Sequence, residues 1–223
     1  MDKKNLTTEE TFALAVQNHQ KNNLQVAGNL YKEILKTNPN HVDAHNNLGL
    51  VFQTFGDFQK AISFYQKAIE IQPDYANAHN NLGIVLGELG EYKKARSCYE
   101  KAIQINPDYV DAHNNLGVAF KELGELQKAI ACYEKALKLK PDSVNAQANI
   151  SNIYNSQLDN LEKATSESYK TLKMHHETSK FINQKISLYR LKHDVQQAKY
   201  LSSKNSKLNG VKAIGSLMTC PVP

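Results

Sequence analysis

Tryptophan is missing from this 223-residue chain, and cysteine is scarce: Cys98, Cys132 and Cys220 are the whole supply. Three thiols have neither the even count nor the short spacing of a disulfide framework or a structural zinc site, so they read as reduced. Long apolar runs are missing too. None approaches the roughly 18 residues that a membrane span needs, and Met1-Asp2-Lys3-Lys4-Asn5 leads into a polar stretch without a signal-peptide core. The expectation is a cytoplasmic protein without a membrane span. No glycine-rich phosphate loop and no nucleophile-base arrangement can be picked out, so no enzyme activity and no cofactor are expected.

What is present suits one ordinary soluble domain or a short repeat array, with 41% hydrophobic and 22% charged residues. The net charge of +5 is unevenly placed. From Val144 onward eleven basic residues face five acidic ones, a net +6, which leaves −1 for the first 143 residues. A basic tail can attract nucleic acid without sequence preference. A solvated helix face is the other account, and without interleaved aromatics no specific nucleic-acid partner is expected.

Proline stands at 39, 73, 107 and 141, each 34 residues from the last, and the residues between repeat as well. A fixed period of this length signals stacked supersecondary units. The strongest copies start at Val42, Ala76 and Val110, each running AHNNLG in its first half and ending in PDY or PDS. In the Val42 copy Ala44, Leu48, Val51 and Phe55 recur at helical spacing, and Gly56-Asp57 interrupts them. A second helical set follows, Phe58, Ala61, Ile62, Tyr65, Ala68 and Ile69, and Pro73 stops it. Each unit is therefore a helix-turn-helix hairpin. Gly49, Ala61 and Ala68 let the two backbones approach, while Leu48, Phe52 and Tyr65 fill the remaining space.

These residues resemble the tetratricopeptide-repeat (TPR) family, whose pattern has a Leu-Gly pair, an aromatic residue, two alanines seven apart and a closing proline. The pairs here are Leu48-Gly49, Leu82-Gly83 and Leu116-Gly117, and the alanines are Ala61/Ala68, Ala95/Ala102 and Ala129/Ala136. The family's usual tryptophan near the start of the repeat is replaced by His45, His79 and His113. The resemblance implies an all-α solenoid of antiparallel helix pairs wound as a right-handed superhelix. About five repeats are expected, starting near 8, 42, 76, 110 and 144, within an array over 1–175. The first is atypical, with Ala15 for the glycine and Asn22-Asn23 at the turn; in the last, Gln157-Leu158-Asp159-Asn160 carries one extra residue. Irregular end units are usual in solenoids. A capping helix or linker is expected over 176–203, its apolar face built from Leu188, Leu191, Val195, Ala198 and Leu201, and a poorly ordered tail over 204–223.

First helices line the concave face of TPR arrays, so residues repeating on their outer side are candidates for ligand contact. Asn47, Asn81, Asn115 and Asn149 are equivalent; Asn46, Asn80 and Asn114 precede the first three; Asp43, Asn77 and Asp111 lie one turn earlier. An amide both donates and accepts, so it can pair with the backbone of a ligand whatever side chains that ligand carries. With an intervening helix layer, equivalent first helices are expected about 10 Å apart. A rung would then meet about every third residue of an extended peptide. Such a ladder resembles the one in the TPR region of O-linked N-acetylglucosamine transferases, mapped onto Asn47, Asn81, Asn115 and Asn149. The same asparagines can instead serve helix packing, and both uses stay open. Leu50, Ile84 and Val118 add an apolar stripe one turn further on. The expected function is a scaffold that binds an extended protein or peptide segment in this groove.

Other readings are weaker. The carboxylate clamp of chaperone-binding TPRs needs lysines and an arginine where this chain has Phe12, Val16, Asn46, Asn80 and Asn114. His45, His79 and His113 are a repeat apart, too far to share a metal ion. The stretch 180–201 is similar to a segment joining TPRs to an iron and 2-oxoglutarate oxygenase-like region in large bacterial proteins. A recognition module of a larger enzyme, of that kind or a glycosyltransferase, is thus the alternative, with its catalytic part outside this chain.

Overall fold

The computed structural model describes residues 6–172 together with 187, 190–194 and 196–197. No strand is found among them, and the helices over 6–172 are α1 (Thr8–Gln20), α2 (Leu24–Thr37), α3 (Val42–Thr54), α4 (Phe58–Ile71), α5 (Ala76–Glu88), α6 (Tyr92–Ile105), α7 (Val110–Glu122), α8 (Leu126–Leu139) and α9 (Val144–Leu172). The chain divides into two compact units, Met1–Tyr154 and Asn155–Pro223.

In the first unit, each pair α1/α2, α3/α4, α5/α6 and α7/α8 forms an antiparallel hairpin and stacks on the next. The local signals explain the helix limits. Thr7 caps α1 by accepting from the backbone N–H of Glu10, whose carboxylate accepts from the Thr7 N–H in return. Asp57 accepts from the Lys60 N–H at the start of α4. The second helices end at Asn38, Gln72, Asn106 and Lys140, whose φ values of −127° to −133° are extended. Each precedes a proline, whose ring excludes the helical conformation from the residue before it. The turns inside the hairpins require a left-handed residue: Gly56, Gly90 and Gly124 have φ of 76° to 78°, and Asn22 takes the same place in the first unit at 61°. Asparagine is among the few side-chain-bearing residues that tolerate this conformation.

Packing within a hairpin turns on a tyrosine laid against a glycine. Tyr65, Tyr99 and Tyr133 of the second helices lie over Gly49, Gly83 and Gly117 of the first. Alanines 61, 68, 95, 102, 129 and 136 are fully buried at the helix crossings, where only a methyl group fits. First helices of successive hairpins also pack directly on one another, at closer quarters than the second helices do, so they form the tighter, inner layer of this unit. Each second helix also packs on the first helix of the next hairpin, α2 on α3, α4 on α5 and α6 on α7.

His45, His79 and His113 have a definite task. Nε2 of each donates to the carbonyl of the proline six residues earlier, Pro39, Pro73 and Pro107, at 2.8, 2.9 and 2.8 Å. A carbonyl only accepts, so the proton sits on Nε2. In the next repeat Gln147 Nε2 donates to Pro141 O at 3.1 Å in the same way. We expect His113→Gln to melt within about 1 kcal/mol of the parent, whereas His113→Ala should lose about 1–3 kcal/mol by leaving that carbonyl unpaired. Urea midpoints decide it; an alanine variant as stable as the glutamine one would remove the tie from the account.

The fifth repeat differs from its expectation at one place. Residues 157–160, expected to form its turn, lie inside the unbroken helix α9. They carry no glycine and no proline to stop a helix. Of the second unit, 155–172 is helical, as are the described residues between 187 and 197. Leu191, expected on a covered apolar face, is 68% exposed. Most of the expected capping helix and all of the 204–223 tail lie outside the described residues. No described helix is long and apolar enough to cross a membrane.

Candidate functional site

The asparagines sort into two rows with different environments. Asn46 and Asn80 are buried, 4% and 3% exposed, whereas Asn47, Asn81, Asn115 and Asn149 are half-buried on the inner layer, as is Asn114. The rows are joined across repeats. Asn81 Nδ2 donates to Asn46 Oδ1 at 3.0 Å, Asn115 to Asn80 at 3.1 Å and Asn149 to Asn114 at 3.2 Å. Within one repeat Asn46 Nδ2 donates to Asn47 Oδ1 at 3.2 Å. The Asn-Asn pair is thus a tie between neighbouring first helices, and burial takes Asn46 and Asn80 out of reach of a ligand. Each outer amide has two N–H groups and an oxygen. Among the described residues only one N–H of Asn81, Asn115 and Asn149 is engaged.

The acidic positions part company as well. Asp43 is exposed and accepts a 2.5 Å hydrogen bond from the hydroxyl of Tyr75, the last residue of its own repeat, just before α5. Burial and the neighbouring Asp43 carboxylate both push the Tyr75 hydroxyl's pKa up, which keeps it a donor. Asn77 and Asp111 are exposed, and Asp111 lies close enough to Tyr109 to help burial raise that hydroxyl's pKa. Leu50, Ile84 and Val118 are half-buried along the same face.

Three of the expected residues, Ile84, Asn115 and Val118, meet around one cleft of about 300 Å³. Helix α5 contributes Ile84, Gly87 and Glu88, and α6 contributes Tyr92, Ala95 and Tyr99. The other wall is α7, with Asn115, Val118, Ala119 and Glu122. Glu88 and Glu122 were not foreseen as site residues, yet the repeat marks them: they are 34 apart and one helical turn beyond Ile84 and Val118. Gly87 was missed because a helix-interior glycine looks like a local weakness. Its equivalents are His19, Gln53 and Lys121, so only here is the position without a side chain.

No described group of histidines, cysteines and carboxylates could hold a metal ion. Burial pushes the Cys98 and Cys132 thiols up to about 11. At pH 8 about one in a thousand would then be thiolate, the reactive form. We expect both to be labelled by a soluble disulfide reagent on the order of a hundredfold more slowly in the folded than in the urea-unfolded chain. Site-resolved mass spectrometry measures this; equal rates would contradict the packing assigned to α6 and α8.

The hairpins, their glycine-tyrosine contacts and the inner layer of first helices build an all-α solenoid of stacked helix pairs, similar in fold to TPR arrays. Residues 44–108 and 74–142 match the tetratricopeptide repeat family model. Among solved structures, one described as the crystal structure of MamA is 28% identical, with a TM-score of 0.59 over 71% of this chain and 96% of that one. MamA 41-end from Desulfovibrio magneticus RS-1 is 20% identical, with a TM-score of 0.62 over 77% of this chain and 97% of that one. The first TPR of Spaghetti (RPAP3), bound to the HSP90 peptide SRMEEVD, is 23% identical, with a TM-score of 0.51 over 52% of this chain and 93% of that one. No curated protein is similar enough to match.

Proposed function

We propose that the inner face of the first helices binds an extended segment of another protein, and that the chain works in the cytoplasm as an interaction scaffold and not as a catalyst. The observation that carries this reading is the row Asn47, Asn81, Asn115 and Asn149, half-buried, regularly spaced and with hydrogen-bonding capacity left after the ties between repeats. An amide row can follow a peptide main chain because both present a donor and an acceptor at each step. The fold tolerates such use, since the RPAP3 relative holds a peptide. On this reading the row has the use implied by its resemblance to the O-linked N-acetylglucosamine transferase ladder.

The test is a selection of random peptides on the intact chain, followed by calorimetry on the best binder and on analogues N-methylated at alternate residues. Loss of main-chain N–H groups should weaken binding at least tenfold, since each net hydrogen bond contributes about 0.5–1.5 kcal/mol. Binding that ignores the methyl groups would exclude main-chain recognition.

A further inference from the structure

The cleft between α5, α6 and α7 differs from every other hairpin in what covers its tyrosine. In the preceding hairpin the Tyr65 hydroxyl donates to Gln53 Oε1 at 2.8 Å, so a side chain from the first helix closes over it. In the first hairpin the His19 ring lies on Tyr31, 6.1 Å between centroids. In the last, Tyr133 is fully buried and its hydroxyl is sealed without a partner. At Gly87 no side chain exists. Tyr99 is only 5% exposed, its hydroxyl has no hydrogen-bond partner among the described residues, and a Cβ built on Gly87 would sit 3.7 Å from that oxygen. The Tyr99 ring is buried, and its unpaired hydroxyl opens on a cleft of about 300 Å³.

Two carboxylates line the same cleft as that hydroxyl. Glu88 and Glu122 line the cleft from its two walls. Glu122 pairs with Lys121 at 2.9 Å, but both side chains are more than a third exposed, so water and salt screen the pair. Gln53 Nε2 reaches Glu88 Oε1 at 3.3 Å and leaves its charge uncompensated. Burial, with Glu88 a smaller influence, raises the Tyr99 hydroxyl's pKa, so it stays protonated and neutral. Ile84, Val118 and Ala95 supply apolar wall.

We propose that this cleft takes one basic side chain, that of a lysine or arginine, from the protein segment bound on the inner face. An ammonium or guanidinium has donors only, and here it meets two carboxylates and the Tyr99 oxygen. Its methylene stem lies along Ile84 and Val118, as long cationic side chains do on apolar surfaces. The volume stands at the lower end of ligand pockets and suits one side chain rather than a whole small molecule. The proposal rests on the groove reading above and gives it a charge preference opposite to that of the acidic peptide held by the RPAP3 relative.

The test uses the full chain, isotope-labelled, with two probes of one shape: n-butylammonium and 1-butanol. The ammonium should shift the Gly87 and Val118 amide signals saturably and at least tenfold more tightly than the alcohol. Glu88→Gln with Glu122→Gln should bring the ammonium down to the alcohol's level. Gly87→Gln restores the side chain found at Gln53; it should abolish binding while the chain melts at or above the parent's temperature, because glutamine favours a helix over glycine. Equal responses to the two probes, or an ammonium response that survives the double glutamine change, would overturn the cation site. Two random-peptide pools with a central lysine or norleucine then separate the readings. Preferential retention of the lysine pool supports the proposal. Equal retention of both, lost with Asn81→Ala, would leave the groove standing and overturn the pocket's role in it. Retention of neither pool would overturn both that role and the groove reading.

Discussion

Gly83→Leu should be among the most destabilising single changes in the array, costing about 3 kcal/mol or more, and Gly83→Ala should already cost about 1–3 kcal/mol. A Cβ built on Gly83 would lie 2.5 Å from Tyr99 Cε1 and 2.8 Å from Cδ1, closer than such atoms ever come. The obstruction is the body of a buried ring, not the free end of a flexible chain, so relief requires α5 and α6 to move apart. The helix propensity of alanine works the other way by roughly 1 kcal/mol, which makes a net loss the sharper test. Because repeats are coupled to their neighbours, the damage should appear as a lower urea midpoint with a broader transition. Gly83→Ala combined with Tyr99→Leu should recover part of the loss, since the facing ring is then gone. An alanine variant as stable as the parent would mean that the glycine-tyrosine contact does not set the helix spacing.

The second large effect is expected from Asn81→Ala with Asn115→Ala, which should lower both stability and ligand affinity. Asn46 and Asn80 accept from these two amides and are 4% and 3% exposed, so truncation leaves two buried oxygens without donors. Each such orphan costs about 1–3 kcal/mol. If the remaining capacity of the same amides holds the ligand, the double variant should bind the selected peptide roughly 5-fold to 150-fold more weakly at a temperature where it is still folded. The two measurements are read separately. Reduced stability with unchanged affinity would assign the row to packing alone, and unchanged stability would show that the Asn-Asn ties add nothing to the array.

The two possible uses of the asparagines could not be separated from their spacing because both require it. A 34-residue repeat places equivalent residues on equivalent surfaces, whether the surface meets a ligand or the next repeat. Only the approach of the first helices showed that Asn46 and Asn80 face a neighbouring helix while Asn81 and Asn115 bridge to them. The histidines carried a similar ambiguity. Their spacing excluded a shared metal ion, but their partners, the proline carbonyls six residues earlier, follow from how the chain enters each first helix.

Local features settled by the sequence are those whose cause lies within a few residues. The hairpins, their limits and their count over 42–139 follow from helical periodicity, from the Gly56, Gly90 and Gly124 turns and from prolines that force the preceding residue out of the helix. Even Asn22, an exception to the glycine turn, stands where the repeat puts it and takes the left-handed conformation its side chain allows. The tertiary structure alone decided what depends on residues far apart in the chain: the Asn-Asn ties between repeats, the Tyr75 bond to Asp43, and the cleft that Gly87 leaves over Tyr99. A missing side chain has no periodic signature of its own. Its consequence appears only when a ring from the next helix, 12 residues on, lies beneath the gap and a third helix forms the far wall.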